Sequence, residues 1–223
     1  MSSFAGNITL ARRTELKNWH IFAILALLTL ANMWLNETFL MTREVYHLLL
    51  SERMETQRID EYFNTMSKFA WWSYVIAPVV LWTRFAFVSL LLQFPLTARF
   101  VEVPFTTILR IVMVASIPLL SGSFAKLIWA LRLPASGINE ASLASVPLAL
   151  TNFFDFYDFP QSAWSFLTNF NLFEAGWCTI VATGFVRTRK LSGLDATLLT
   201  LVVWTAILVF QWVLMLYVTK VNS

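Results

Sequence analysis

Charged side chains are scarce in this chain. Asp, Glu, Lys and Arg make up 13% of it, about half the share of an ordinary soluble domain. Cysteine occurs once, as Cys178, so no intrachain disulfide can form. Histidine occurs only as His20 and His47, and no HExxH pairing or Cys/His cluster accompanies either. Glu44 and His47 have the i, i+3 spacing of a di-iron helix motif, but that chemistry needs matching ligands on further helices. A GxSxG nucleophile elbow and a glycine-rich phosphate loop are both missing. Nor do Lys and Arg interleave with aromatic residues as a nucleic-acid surface requires. These absences argue for no catalytic residues, no metal, no cofactor and no nucleic-acid partner.

Apolar residues are abundant instead. They make up 58% of the 223 residues, and the mean hydropathy is +0.66. A soluble fold of this size would have too little polar surface to cover itself. The fold class expected is an all-α polytopic membrane helix bundle, a single membrane domain over 1–223. A crossing takes about 20 mostly apolar residues. Five segments meet or approach that: about 19–40, 69–94, 107–131, 172–186 and 194–218. The N-terminal MSSFAGNITLARRTELKNW lacks a compact apolar core followed by a small-residue cleavage pattern, so the first run is expected to be retained.

Orientation follows from the bases. The link after the fourth segment carries Arg187, Arg189 and Lys190 without an acid, which places it in the cytoplasm. Across 132–169 the only base is Arg132, which places that connection outside. The N-terminus, with Arg12, Arg13 and Lys17, then falls in the cytoplasm, and the C-terminus outside. Residues 41–68 must also lie outside, although they hold Arg43, Arg53, Arg58 and Lys68 beside Glu44, Glu52, Glu55, Asp60 and Glu61. That connection has no Gly or Pro, and its mixed pattern predicts helical extensions of the flanking spans or an interfacial helix. The other outer connection, rich in Phe and Trp from Phe153 to Phe170, reads as a segment lying at the membrane surface.

Ionisable residues inside spans are the candidates for function. Arg84 lies deep in the second span, where it serves either as a packed structural base or as an anion or headgroup site. Lys126 and Glu174 fall near the outer ends of their spans and are expected to form an interhelical clamp, with an ion- or proton-coupled site as the alternative. Pro118 with Ser121-Gly122-Ser123 interrupts the third span, as a kink or as a broken-helix substrate site. Ser116, Gly122, Ala175, Gly176, Thr179 and Gly184 would let helices approach closely. Arg187, Arg189 and Lys190 are topological charge or a lipid or partner contact.

Residues 171–199, NLFEAGWCTIVATGFVRTRKLSGLDATLL, together with the apolar run after them, resemble the end of the Yip1 family of membrane proteins. The likeness rests on Leu172-Phe173 opening a span, then Trp177, Gly184 and the basic link Arg187 to Lys190. It extends over about Val103 to Val218. The resemblance implies a five-span bundle with a cytoplasmic N-terminus and no enzymatic activity. Eukaryotic members of that family are linked to vesicle traffic and small GTPases, and bacterial members largely lack an assigned role. This chain departs from the pattern in its short N-terminal tail and its charged 41–68 connection. The function expected is a non-enzymatic subunit or scaffold of a membrane assembly, in contact with membrane lipids and other membrane subunits. A bacterial inner membrane is the first expected location and an endomembrane the second. The alternative is a small transporter or channel component, in which Arg84, Lys126, Glu174 and the Ser121-Gly122-Ser123 break share one polar site.

Overall fold

The structure is a computed structural model and describes residues 17–221 except Glu52, Ala135 and Ser136. Arg12 and Arg13 lie outside the described residues. Within them the chain is all-α. Helix α1 is Asn18–Leu35, continued by a π turn at Asn36–Leu40; α2 is Arg43–Leu50, α3 Thr56–Ala98 and α4 Phe105–Arg132. Then come α5 (Glu140–Ala144), two 3₁₀ turns, α6 (Gln161–Thr168), α7 (Leu172–Arg187) and α8 (Gly193–Val221). Four helical stretches are long and apolar enough to cross a membrane: Asn18–Leu40, Thr56–Ala98, Phe105–Arg132 and Gly193–Val218. They make this a multi-pass membrane protein. Their outward faces carry large apolar side chains such as Leu27, Val79, Val202 and Phe210, a surface suited to lipid rather than water.

The core lies where α1, α3, α4, α7 and α8 meet, around Phe22, Phe85, Ile108, Met113, Val181 and Phe185. Lipid tails are as apolar as these side chains, so close packing rather than escape from water must hold the helices together. Helices α4 and α7 run antiparallel in a tight register set by three glycines. Gly122 faces Phe173, Gly176 faces Pro118 and Gly184 faces Ile111. At Gly122 and Gly184 an added Cβ would stand 2.7 Å from the opposite side chain, so each accommodates its neighbour only by lacking one.

Contacts also fix which ends share a level. The Asn18 side-chain amide donates to the Thr106 carbonyl at 2.9 Å, joining the starts of α1 and α4. Arg99 pairs with Asp195 at 3.7 Å, joining the end of α3 to the start of α8. At the opposite end Leu40 packs with Leu127 and Ala130, Tyr74 donates to Glu37, and Arg53 pairs with Glu140 at 2.9 Å.

The connection 41–68 is helical, as its composition predicts, but α2 is a separate helix while α3 runs on without a break. With 43 residues, α3 is roughly 65 Å long at 1.5 Å per residue, about twice the hydrocarbon core. Its first turns pack on α2 through buried Val45 and Ile59, and Asp60 accepts from His47 at 3.0 Å and pairs with Arg43 at 3.6 Å.

Helix α7, with 16 residues, spans only about 24 Å. Its start is met by the preceding connection, where Leu150 N–H donates to the Phe170 carbonyl at 2.8 Å and Leu172 N–H to the Leu148 carbonyl at 3.3 Å. This short clip satisfies backbone groups just ahead of the helix. Helix α6 leans on α8 through Phe166 against Trp212, and Phe170 just after it packs against Trp204. Phe153 and Tyr157 stay 84% and 77% exposed on the connection.

Candidate functional site: a polar cleft between four helices

Sequence placed Glu174 at the start of a span, and the local reason is a helix cap. Asn171 is extended, and its side-chain carbonyl accepts from the Glu174 N–H at 2.9 Å. In a full capping box the acid at this position would bend back to the cap residue's own N–H. Here the carboxylate reaches away instead and accepts from the Trp204 indole N–H of α8 at 3.2 Å. The indole is held in turn by the edge-to-face Phe170 ring, with centroids 5.4 Å apart.

On the far side of that hydrogen bond lies Arg84. Its guanidinium stands within Coulombic reach of the Glu174 carboxylate, but among the described residues the two do not form a contact ion pair. They line one cavity of about 380 Å³ between α3, α4, α7 and α8, with Ser116, Trp204 and Gln211 as the other polar members. Phe85, Val88, Leu91, Trp177 and Phe210 supply apolar walls. Arg84 is itself exposed on the surface of the bundle. Counting from the end of α3 at Ala98, it lies roughly 21 Å inside, near the middle of the helix's membrane-length portion. Glu174 and Trp204 also line a second, more apolar groove of about 920 Å³ beside Phe153, Leu172 and Leu201. The hydrogen-bonded pair thus borders both spaces.

The expected clamp between Lys126 and Glu174 does not form. The glycine register sets Glu174 beside residues 120–121 of α4, so Lys126 lies about five residues, roughly 8 Å, further out. Lys126 is half-buried and makes no hydrogen bond or salt bridge among the described residues. Nor do the serines break α4, which is continuous from Phe105 to Arg132. Ser121 Oγ donates to the Ile117 carbonyl at 3.0 Å and Ser123 Oγ to the Leu119 carbonyl at 3.2 Å. Both are thus satisfied within their own helix, and neither bonds the Val114 carbonyl that Pro118 leaves without an amide. Gly122 between them seats Phe173.

Arg187 and Lys190 line a groove at the other end of α7, while Arg189 is exposed, turns the chain with φ 58° and does not line it. Of the cleft residues, the sequence reading passed over Trp204 and Gln211. A signal for each existed: Trp204 sits mid-span rather than in an interfacial belt, and Gln211 is the one amide in the final apolar run.

Compared with protein-family models, curated proteins and solved structures, this chain has no match. The resemblance to the Yip1 family gains no support from those comparisons, and the functional reading below rests on geometry.

Proposed function

We propose that this protein is a non-enzymatic subunit or scaffold of a membrane assembly, and that its partner covers the α3–α8 face over the Arg84 cleft. The observation that carries this reading is the exposure of Arg84 at mid-depth. Insertion of an arginine at the centre of a span costs about 2.5–3.5 kcal/mol even on translocon scales. Glu174 lines the same cleft, but its carboxylate accepts from Trp204 and forms no contact ion pair with Arg84 among the described residues, while Arg84 stays exposed. A neighbouring helix bearing a carbonyl or hydroxyl at that depth would complete the arrangement. Apolar Phe87, Leu91 and Phe210 frame the opening and supply packing area.

In this reading the chain crosses five times, with α7 as the short fourth crossing, the N-terminus in the cytoplasm and the C-terminus outside. The end that, among the described residues, gathers Lys17, Arg99, Arg187, Arg189 and Lys190 beside Glu102 and Asp195 then faces the cytoplasm. At the other end Arg43 and Arg53 are tied to Asp60 and Glu140.

The test is a photocrosslinking residue placed at Phe87 or Phe210, with Leu27 on the free face of α1 as control, in cells expressing the tagged chain at native level. A discrete higher-mass adduct at the cleft positions and none at Leu27 is the expected result. A protein that purifies alone, without adducts at either cleft position, overturns the subunit reading. The second reading, a small transporter or channel component, draws support from the cleft that Arg84 and Glu174 share. Against it, Lys126 and Ser121-Gly122-Ser123 stay outside that cleft.

A further inference from the structure

A second polar concavity lies at the opposite end of α7 and is independent of the Arg84 cleft. It is a groove of about 790 Å³ between the first turns of α4 and the last turn of α7. Three cations from three separate places in the chain line it: Arg110 from α4, Arg187 from the end of α7 and Lys190 from the link to α8. Among the described residues Glu102 is the one acid on its lining. Ile111, Val114 and Ile180 add apolar wall deeper along α4 and α7 than Arg110 and Arg187, with Thr183 the polar residue beside Ile180. The floor is close because Gly184 lets Ile111 approach α7.

The charge rule for membrane topology asks only that bases lie on one side of the membrane. It does not ask them to face one another across a groove. Nor does it account for Arg110, which lies five residues inside α4, roughly 8 Å below its start. The start of α4 adds to the positive field. Its N-cap is Pro104, which makes no side-chain cap hydrogen bond, so the positive helix end faces the groove. Three cations against one acid suit a phosphate diester of single negative charge. Apolar walls running on from the cations suit a chain attached to that phosphate. Basic pockets between helices at a cytoplasmic membrane face are where phospholipid headgroups bind.

We propose that this groove binds an anionic phospholipid, with its phosphate between Arg110, Arg187 and Lys190 and one acyl chain along Ile111, Val114 and Ile180. The probe is phosphatidylglycerol, titrated onto the full chain in mild detergent and read by native mass spectrometry, with phosphatidylcholine as the neutral comparison. Phosphatidylglycerol should fill one site ahead of all others. The triple variant Arg110→Gln, Arg187→Gln, Lys190→Gln should bind it at least about tenfold more weakly, since each charge-assisted contact removed weakens binding several-fold. Arg189→Gln, which removes an equal charge beside the groove, should leave binding unchanged. Should the triple variant fail to fold, Lys190→Glu alone, in the exposed link, should still lower affinity several-fold while thermal unfolding stays as in the parent. Unchanged binding in these variants, or equal loss in Arg189→Gln, overturns the proposal. So does displacement of the lipid by millimolar inorganic phosphate, which would mark a site for a free anion.

Discussion

Glu174 carries two bonds that answer to different parts of the sequence. Its amide belongs to the local Asn171 cap, and its carboxylate belongs to Trp204, thirty residues on. The carboxylate is therefore a link between α7 and α8 rather than between α7 and α4. Hydrogen bonds between membrane helices average about 0.6 kcal/mol and reach about 1.7. We expect a double-mutant cycle of Glu174→Met and Trp204→Phe, measured by unfolding in detergent, to give a coupling within that range. The corresponding cycle of Glu174→Met and Lys126→Met should be additive to within about 0.5 kcal/mol. A larger coupling to Lys126 than to Trp204 would reinstate the clamp. Arg84 was legible as a candidate because an intramembrane base is rare. Its company was not, because sequence gives a residue's depth along a helix but not the direction in which the helix is turned.

At the scale of elements, the contact between α4 and α7 organises the bundle, and it depends on glycines being small rather than on their backbone freedom. Overfilling a packed site costs about 1–3 kcal/mol. Gly122→Ala and Gly184→Ala, whose new methyls would stand 2.7 Å from Phe173 and Ile111, should each lower stability by an amount in that range. Gly193→Ala, with nothing within 4 Å of its added methyl, should be neutral or stabilising by up to about 1 kcal/mol. Equal effects at all three positions, measured by thermal unfolding, would show that the register of α4 and α7 is not set by these contacts. The long helices and the helical nature of 41–68 were legible because apolar length and the absence of Gly and Pro are local properties. Small residues on α4 and α7 marked a close approach, but which residue meets which depended on packing. Of the two readings of Pro118 with Ser121-Gly122-Ser123, a kink or a broken helix, the broken helix does not occur, because α4 is continuous. Proline and small polar residues read as an interruption along the chain, whereas here Phe173 packs on Gly122 and Pro118 on Gly176 of α7.

For the whole molecule, the open matter is whether α7 crosses. Its length falls short of a hydrocarbon core about 30 Å thick by roughly 6 Å. In the five-crossing reading proposed above, the clip of Leu150 with Phe170 and Leu172 with Leu148 supplies that distance as paired backbone, beside Phe166 on Trp212 and Phe170 on Trp204. Crossing also places Arg187, Arg189 and Lys190 at the level of Lys17 and Arg99, consistent with the helix ends joined by Asn18–Thr106 and Arg99–Asp195. Two single cysteines in a Cys178→Ala background decide the matter: Ser51→Cys before α3 and Ser192→Cys after α7, both at exposed positions. Between them lie α3, α4 and α7, so three crossings put them on opposite sides and two put them on the same side. A membrane-impermeant maleimide applied to intact cells should label Ser51→Cys and spare Ser192→Cys, with the pattern reversed in inverted vesicles. Labelling of both from one side would reduce the chain to four crossings and make α7 a re-entrant helix. Labelling of Ser192→Cys alone from outside would keep five crossings but invert the protein, and the basic groove would then face away from the cytoplasm.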